Sequence, residues 1–180
     1  MKNQFKSLFD CQSLSILFQE KIREIPSLVN NLKFRDVQDD TSFENSKQRI
    51  KDKILFQPIT IESPEFIDYE YDKNYIHEVS FSFEGDRELF SYIPDNLSFM
   101  SSDHGIIMPT YTNSIIVYVE LNEINPKKAV EEAKSLMRLT LSMIEKSYES
   151  VISWNYAVEK RIDNDLEEKR NELERIFGDY

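Results

Sequence analysis

Over the last third of the chain, apolar positions recur at steps of three or four: Val130, Ala133, Met137, Leu141, Ile144, Tyr148, Val151, Val158, Ile162, Leu166, Leu173 and Ile176, with Asn155 and Lys169 as polar interruptions. That period holds one face of an α-helix against a single partner, and roughly 47 residues at about 1.5 Å each span on the order of 70 Å. Asn125-Pro126 supplies a preferred N-cap with proline in the first turn, and Gly178 stands as the stop. The pattern predicts one long helix over 125–178. Its weakest point is Ser147 to Ser150, where a break would give a helical hairpin. So long a helix outruns any core that 180 residues build, so its far end is expected to pack on another helix, another copy or another protein.

Helical spacing also appears near the start, in Leu14, Leu17, Phe18, Ile22, Ile25, Val29 and Leu32, with Pro26 expected to break or kink the helix near its middle. Thr41-Ser42-Phe43-Glu44 has the spacing of a capping box and predicts a shorter helix to about Lys53, buried through Phe43, Ile50 and Ile54. The period then drops to two. His77, Val79, Phe81 and Phe83 alternate with Glu78, Ser80, Ser82 and Glu84, as in a half-buried strand closed by Gly85-Asp86. Ile59 and Ile61, Leu97 to Met100, Ile106 to Met108 and Ile115 to Leu121 are further strand candidates, the last apolar enough to be central. The fold class is α+β: a small antiparallel sheet of about four to five strands, N-terminal helices, and a long C-terminal helix or helical hairpin. One domain is expected over 1–180, helical over 1–53, sheet over 54–124 and the long helix after that.

Charge narrows the partners. Acidic residues outnumber basic ones by 33 to 22, for a formal charge of −11, which repels phosphate backbones and makes nucleic acid an unfavoured partner. The local exception is Lys47, Arg49, Lys51 and Lys53, a candidate nucleic-acid contact whose simpler reading is a solvated helix face. Cys11 is the single cysteine, which excludes an internal disulfide and a thiolate metal cage. The apolar run Leu14 to Phe18 is too short and too quickly charged for a secretory segment, and no run is long enough to span a membrane. A reducing, cytoplasmic setting without membrane attachment is expected. Glycine is limited to Gly85, Gly105 and Gly178, which excludes glycine-rich phosphate loops.

Candidate chemistry is thin. His77 falls on the apolar face of a strand, the place of a satisfied core histidine, and His104 lies in the turn-like Ser101-Ser102-Asp103-His104-Gly105. Tyr69-Glu70-Tyr71-Asp72, after Asp68, concentrates acids and aromatics as a metal or acid/base site would, and equally as an acidic loop or sheet edge would. The nuclease-like spacing of acid, any residue and lysine at Glu132 to Lys134 and Glu167 to Lys169 falls on the long helix, where it is salt-bridge spacing. No cofactor and no catalytic or metal-binding residue is expected. The candidate partner-binding residues are Tyr148, Trp154, Asn155, Ile162, Leu166 and Leu173. They combine an aromatic anchor, a polar register residue and an apolar seam.

The run Phe81-Ser82-Phe83-Glu84-Gly85-Asp86-Arg87-Glu88-Leu89-Phe90-Ser91-Tyr92-Ile93-Pro94 resembles a pattern in the N-terminal, non-catalytic regions of uncharacterised bacterial proteins that can carry a restriction-endonuclease-like or other effector domain. The stretch holding Trp154, Asn155, Leu166, Lys169, Arg170 and Leu173 is similar to the long helix that follows there, so the likeness runs from about residue 55 onward. It implies a non-catalytic module of a bacterial antiphage defence system. Nuclease motif residues are missing, so no nuclease activity carries over. The leading expectation is therefore a non-enzymatic interaction or assembly module that oligomerises with itself or docks an effector protein. One alternative is an acidic chaperone-like protein that binds unfolded or partner polypeptide. A second is a metal-dependent enzyme or nucleotide sensor built from Asp68, Glu70, Asp72, His77 and His104.

Overall fold

Alternation in the middle of the chain becomes a sheet whose two long inner strands are the ones the sequence marks most strongly. The computed structural model describes residues 12–95, 106–107 (main chain only) and 112–178. In chain order it has β1 (Gln12–Ser13), α1 (Leu14–Asn30), α2 (Asp40–Ile54), β2 (Thr60–Ile61), β3 (Glu65–Asp72), β4 (Asn74–Glu84), β5 (Tyr92–Ile93), β6 (Ile106–Ile107), β7 (Ser114–Leu121), α3 (Pro126–Leu136) and α4 (Arg138–Phe177). Short 3-10 helices occupy Phe34–Asp36 and Arg87–Ser91. The expected α+β class is what the structure has. The candidate strand Leu97 to Met100, and Met108, lie outside the described residues.

The chain, read from its sequence as one domain, gathers into two compact units. Pro58–Glu149 with the described residues up to Leu14 form the first, and Ser15–Gln57 with the residues from Ser150 form the second. In the first unit a five-stranded sheet runs in the order β2-β4-β7-β6, with β3 also pairing β4, and every pairing in it is antiparallel. β1 and β5 form a separate parallel pair. Register puts His77 opposite Val119, Val79 opposite Val117 and Phe81 opposite Ile115, and all six are buried. Those side chains share one face because strand residues point alternately to the two sides. On it lies α3, which touches β3, β4 and β7 and buries Ala129 and Ala133. Gly85 turns the chain out of β4 at φ +109°, with the site of a Cβ only 2.4 Å from the Pro58 carbonyl oxygen.

The second unit packs α1 and α2 on the C-terminal part of α4. Ile25 and Val29 from α1, Phe43, Ile50 and Ile54 from α2, and Val158, Ile162, Leu166 and Leu173 from α4 form one buried cluster. Helix α2 starts two residues earlier than the capping-box spacing suggests. Asp39 is the N-cap, its carboxylate accepting from the Ser42 N–H at 2.9 Å and the Ser42 hydroxyl at 2.8 Å. Those bonds, the main-chain one first, hold the Asp39 carboxyl below its usual range. Pro26 does not break α1: the proline is exposed, and its buried neighbours Ile25 and Val29 hold the turn by packing.

The expected single C-terminal helix is interrupted, but not at Ser147 to Ser150, through which α4 runs continuously. The interruption is Met137, whose ψ of −5° departs from the α-helical value. Hydrogen bonding still passes through it, from Met137 N–H to Ala133 O at 2.9 Å and from Leu141 N–H to Met137 O at 2.8 Å.

Candidate functional site

Strand β3 reads Glu-Phe-Ile-Asp-Tyr-Glu-Tyr-Asp, and nearly all of it is exposed. It pairs β4 through Asp68 opposite Glu78, Tyr69 opposite His77, Glu70 opposite Ile76 and Tyr71 opposite Tyr75. A register shift between Phe66 and Asp68 leaves Ile67 unopposed and half exposed. Lys73 closes the hairpin at φ +66°. Among the described residues β3 pairs with β4 alone, which makes it an edge strand there.

The main-chain direction of β3 follows from its neighbours. Glu62 N–H donates to Ser82 O on one side of β4, and Phe83 N–H to Asn113 O on the other, both at 2.9 Å. Main-chain groups of an antiparallel strand alternate in direction, so even-numbered residues of β4 face β3 and odd-numbered ones face β7. Asp68 and Glu70, opposite Glu78 and Ile76, therefore bond to β4, while Tyr69 and Tyr71 turn their N–H and C=O groups to the open edge. The bond from Tyr69 N–H to the Asp68 carboxylate, at 2.8 Å, fits this orientation, because among the described residues that donor has no strand beside it.

The two faces of the hairpin differ in chemistry. On the α3 side, Tyr75 contacts Tyr69 and Tyr71 with ring centroids 5.9 and 5.0 Å away, and Phe66 and Tyr69 flank His77. His77 is fully buried; its Nε2 accepts from Asn125 N–H and its Nδ1 donates to Tyr75 O, both at 3.2 Å. The opposite face carries Asp68, Glu70 and Asp72 beside Glu78 of β4 and Tyr118 and Glu120 of β7. Partial burial, then the charges of Glu78 and Glu70, push the Tyr118 phenol above its usual range. Asn74 donates to Glu120 across this face. Thus Asp68, Glu70 and Asp72 lie on the other side of the sheet from His77, and His104 lies outside the described residues. The shared cleft envisaged for an enzyme does not form among the described residues, where no group of three or more His, Cys, Asp or Glu is placed to hold a metal.

The candidate partner seam has a different fate. Ile162 and Leu166 are fully buried and Leu173 nearly so, against α1 and α2 of the same chain. This corrects the expectation that they need company from outside: the N-terminal helices supply it. Trp154 stacks on Phe18 at 4.6 Å and meets Phe56 at 5.3 Å. Asn155 serves the second unit's own main chain, its Oδ1 accepting from Phe56 N–H at 3.1 Å and its Nδ2 donating to Phe56 O at 2.6 Å. Tyr148 alone of the six is exposed, on a groove of about 600 Å³ beside Ile59, Ile61, Lys134, Arg138 and Leu141.

The basic run is likewise divided. Lys51 lies 2.7 Å from Glu159 and 2.9 Å from Asp163, and Lys47 lies 3.3 Å from Asp163. Only Arg49 and Lys53 stand exposed, on another face of α2. A four-cation phosphate contact is not assembled.

In sequence alone, Tyr69 to Asp72 fits an acidic loop and a sheet edge equally well. The alternation of aromatic and acid was the usable signal. No family model, curated protein or solved structure matches the chain. No helix among the described residues is long and apolar enough to cross a membrane.

Proposed function

We propose that this protein is a non-enzymatic interaction module that takes a segment of a partner polypeptide as an added strand on β3. One observation carries the reading: an eight-residue edge strand whose Tyr69 and Tyr71 main-chain groups face outward. A long open edge is a template for pairing, and folds ordinarily shorten or cover it. The reading merges the interaction module with the polypeptide-binding alternative expected from the sequence, and moves the docking surface from the helix seam to the sheet. Self-association through β3 is disfavoured, because two copies would bring Asp68, Glu70 and Asp72 against the same acids.

The test uses a library of random ten-residue peptides selected on the protein and re-measured on Tyr71→Pro. Proline removes the outward N–H without touching a bond to β4. Selected peptides are expected to bind the variant at least tenfold more weakly, with hydrogen-exchange protection confined to β3. Peptides that bind both proteins equally would overturn the reading.

A further inference from the structure

From the chemistry of the edge, and resting on the strand-addition reading above, we infer that the segment β3 accepts is basic, with lysine or arginine at alternate positions and aliphatic or aromatic side chains between them. A strand added to β3 sends its side chains alternately to the two faces of the sheet. On one face they arrive beside Asp68, Glu70 and Asp72; on the other, beside Tyr69 and Tyr71. The first face accepts cations, and the second accepts apolar groups or the methylene stems of long side chains.

Three observations converge on a cationic occupant. No lysine or arginine stands anywhere in β3, β4 or β7, although these strands hold Glu65, Asp68, Glu70, Asp72, Glu78, Glu84 and Glu120. Asp68 and Glu78 are directly opposite, a like-charge pair that weakens a sheet and that a cation would relieve. The chain carries a formal charge of −11, which draws basic segments in at long range. Acids alone would be a solvated face. The outward main-chain groups of Tyr69 and Tyr71 beside them make them one wall of a strand site, where an incoming carbonyl would take the place of the Asp68 carboxylate on Tyr69 N–H.

The experiment measures fluorescence anisotropy of labelled ten-residue peptides at submicromolar concentration: alternating Lys-Val, alternating Ser-Val, and Lys-Val with alternate main-chain nitrogens methylated. Each is titrated with the wild-type chain, Tyr71→Pro, and the triple variant Asp68→Asn, Glu70→Gln, Asp72→Asn, at low and physiological salt. The Lys-Val peptide is expected to bind the wild type, to lose at least tenfold in the triple variant and in Tyr71→Pro, and to weaken steeply with salt. The methylated peptide is expected not to bind. If Ser-Val binds as tightly and ignores the triple variant, strand addition stands and the basic specificity is overturned. Should Lys-Val binding survive both Tyr71→Pro and methylation, the contact is charge attraction alone, and strand addition fails with it. Removing the acids relieves repulsion, so the triple variant should melt no lower than the wild type; circular dichroism checks this.

Discussion

Single residues show where this chain tolerates no substitute. Gly85 combines φ +109° with a main-chain oxygen 2.4 Å from where a Cβ would stand, so Gly85→Ala meets both a backbone penalty and a clash with the Pro58 carbonyl. The expected loss is about 3 kcal/mol, measured by urea unfolding, and a loss under about 0.5 kcal/mol would show that the turn relaxes freely. Ser147 presents the reverse case. It is buried on α4, and its hydroxyl has no hydrogen-bond partner among the described residues. Ser147→Ala removes an unsatisfied polar atom, so unfolding free energy should rise by about 1 kcal/mol. A fall in stability would mean that the hydroxyl has a partner after all.

Helices α2 and α4 are joined by an apolar seam and a charged margin. At the margin Lys51 sits between Glu159 and Asp163, while Arg170 lies 4.8 Å over the Phe43 ring and 2.9 Å from Asp40. Burial is the largest single influence on Lys51 and pulls its pKa down. The bonds and charges of Glu159 and Asp163 together outweigh burial, and the value ends above the ordinary 10.5. A raised folded value means stability that is fully present below the unfolded value and lost as pH rises through the folded one. As pH rises past the ordinary lysine value of 10.5 and through the raised folded value, the wild type should lose stability that Lys51→Met has already lost at neutral pH. Thermal melts of the two proteins across that window should converge, and parallel curves would mean that the pair contributes nothing.

Across the whole molecule the excess of acids dominates. With 33 acidic and 22 basic side chains, repulsion outweighs the ion pairs on average, so screening should stabilise. Raising sodium chloride from about 10 to 300 mM is expected to lift the melting temperature by roughly 2–5 °C, with the triple variant on β3 gaining less. A melting temperature that falls with salt would show that the ion pairs around Lys51 and Arg170 outweigh the repulsion.

Much of the architecture was legible in the sequence because it rests on local periods. Alternation from His77 to Phe83 and the apolar run from Ile115 to Leu121 became β4 and β7, and the helical spacing of Phe43, Ile50 and Ile54 became the buried face of α2. Period says which side of an element is buried but not what buries it. Ile162, Leu166 and Leu173 therefore read as a seam awaiting an outside partner, until tertiary structure placed α1 and α2 over them. Composition likewise showed acids and tyrosines alternating at Tyr69 to Asp72. Only pairing with β4 on one side made that stretch an edge, because which main-chain groups remain open depends on contacts between residues far apart in the chain.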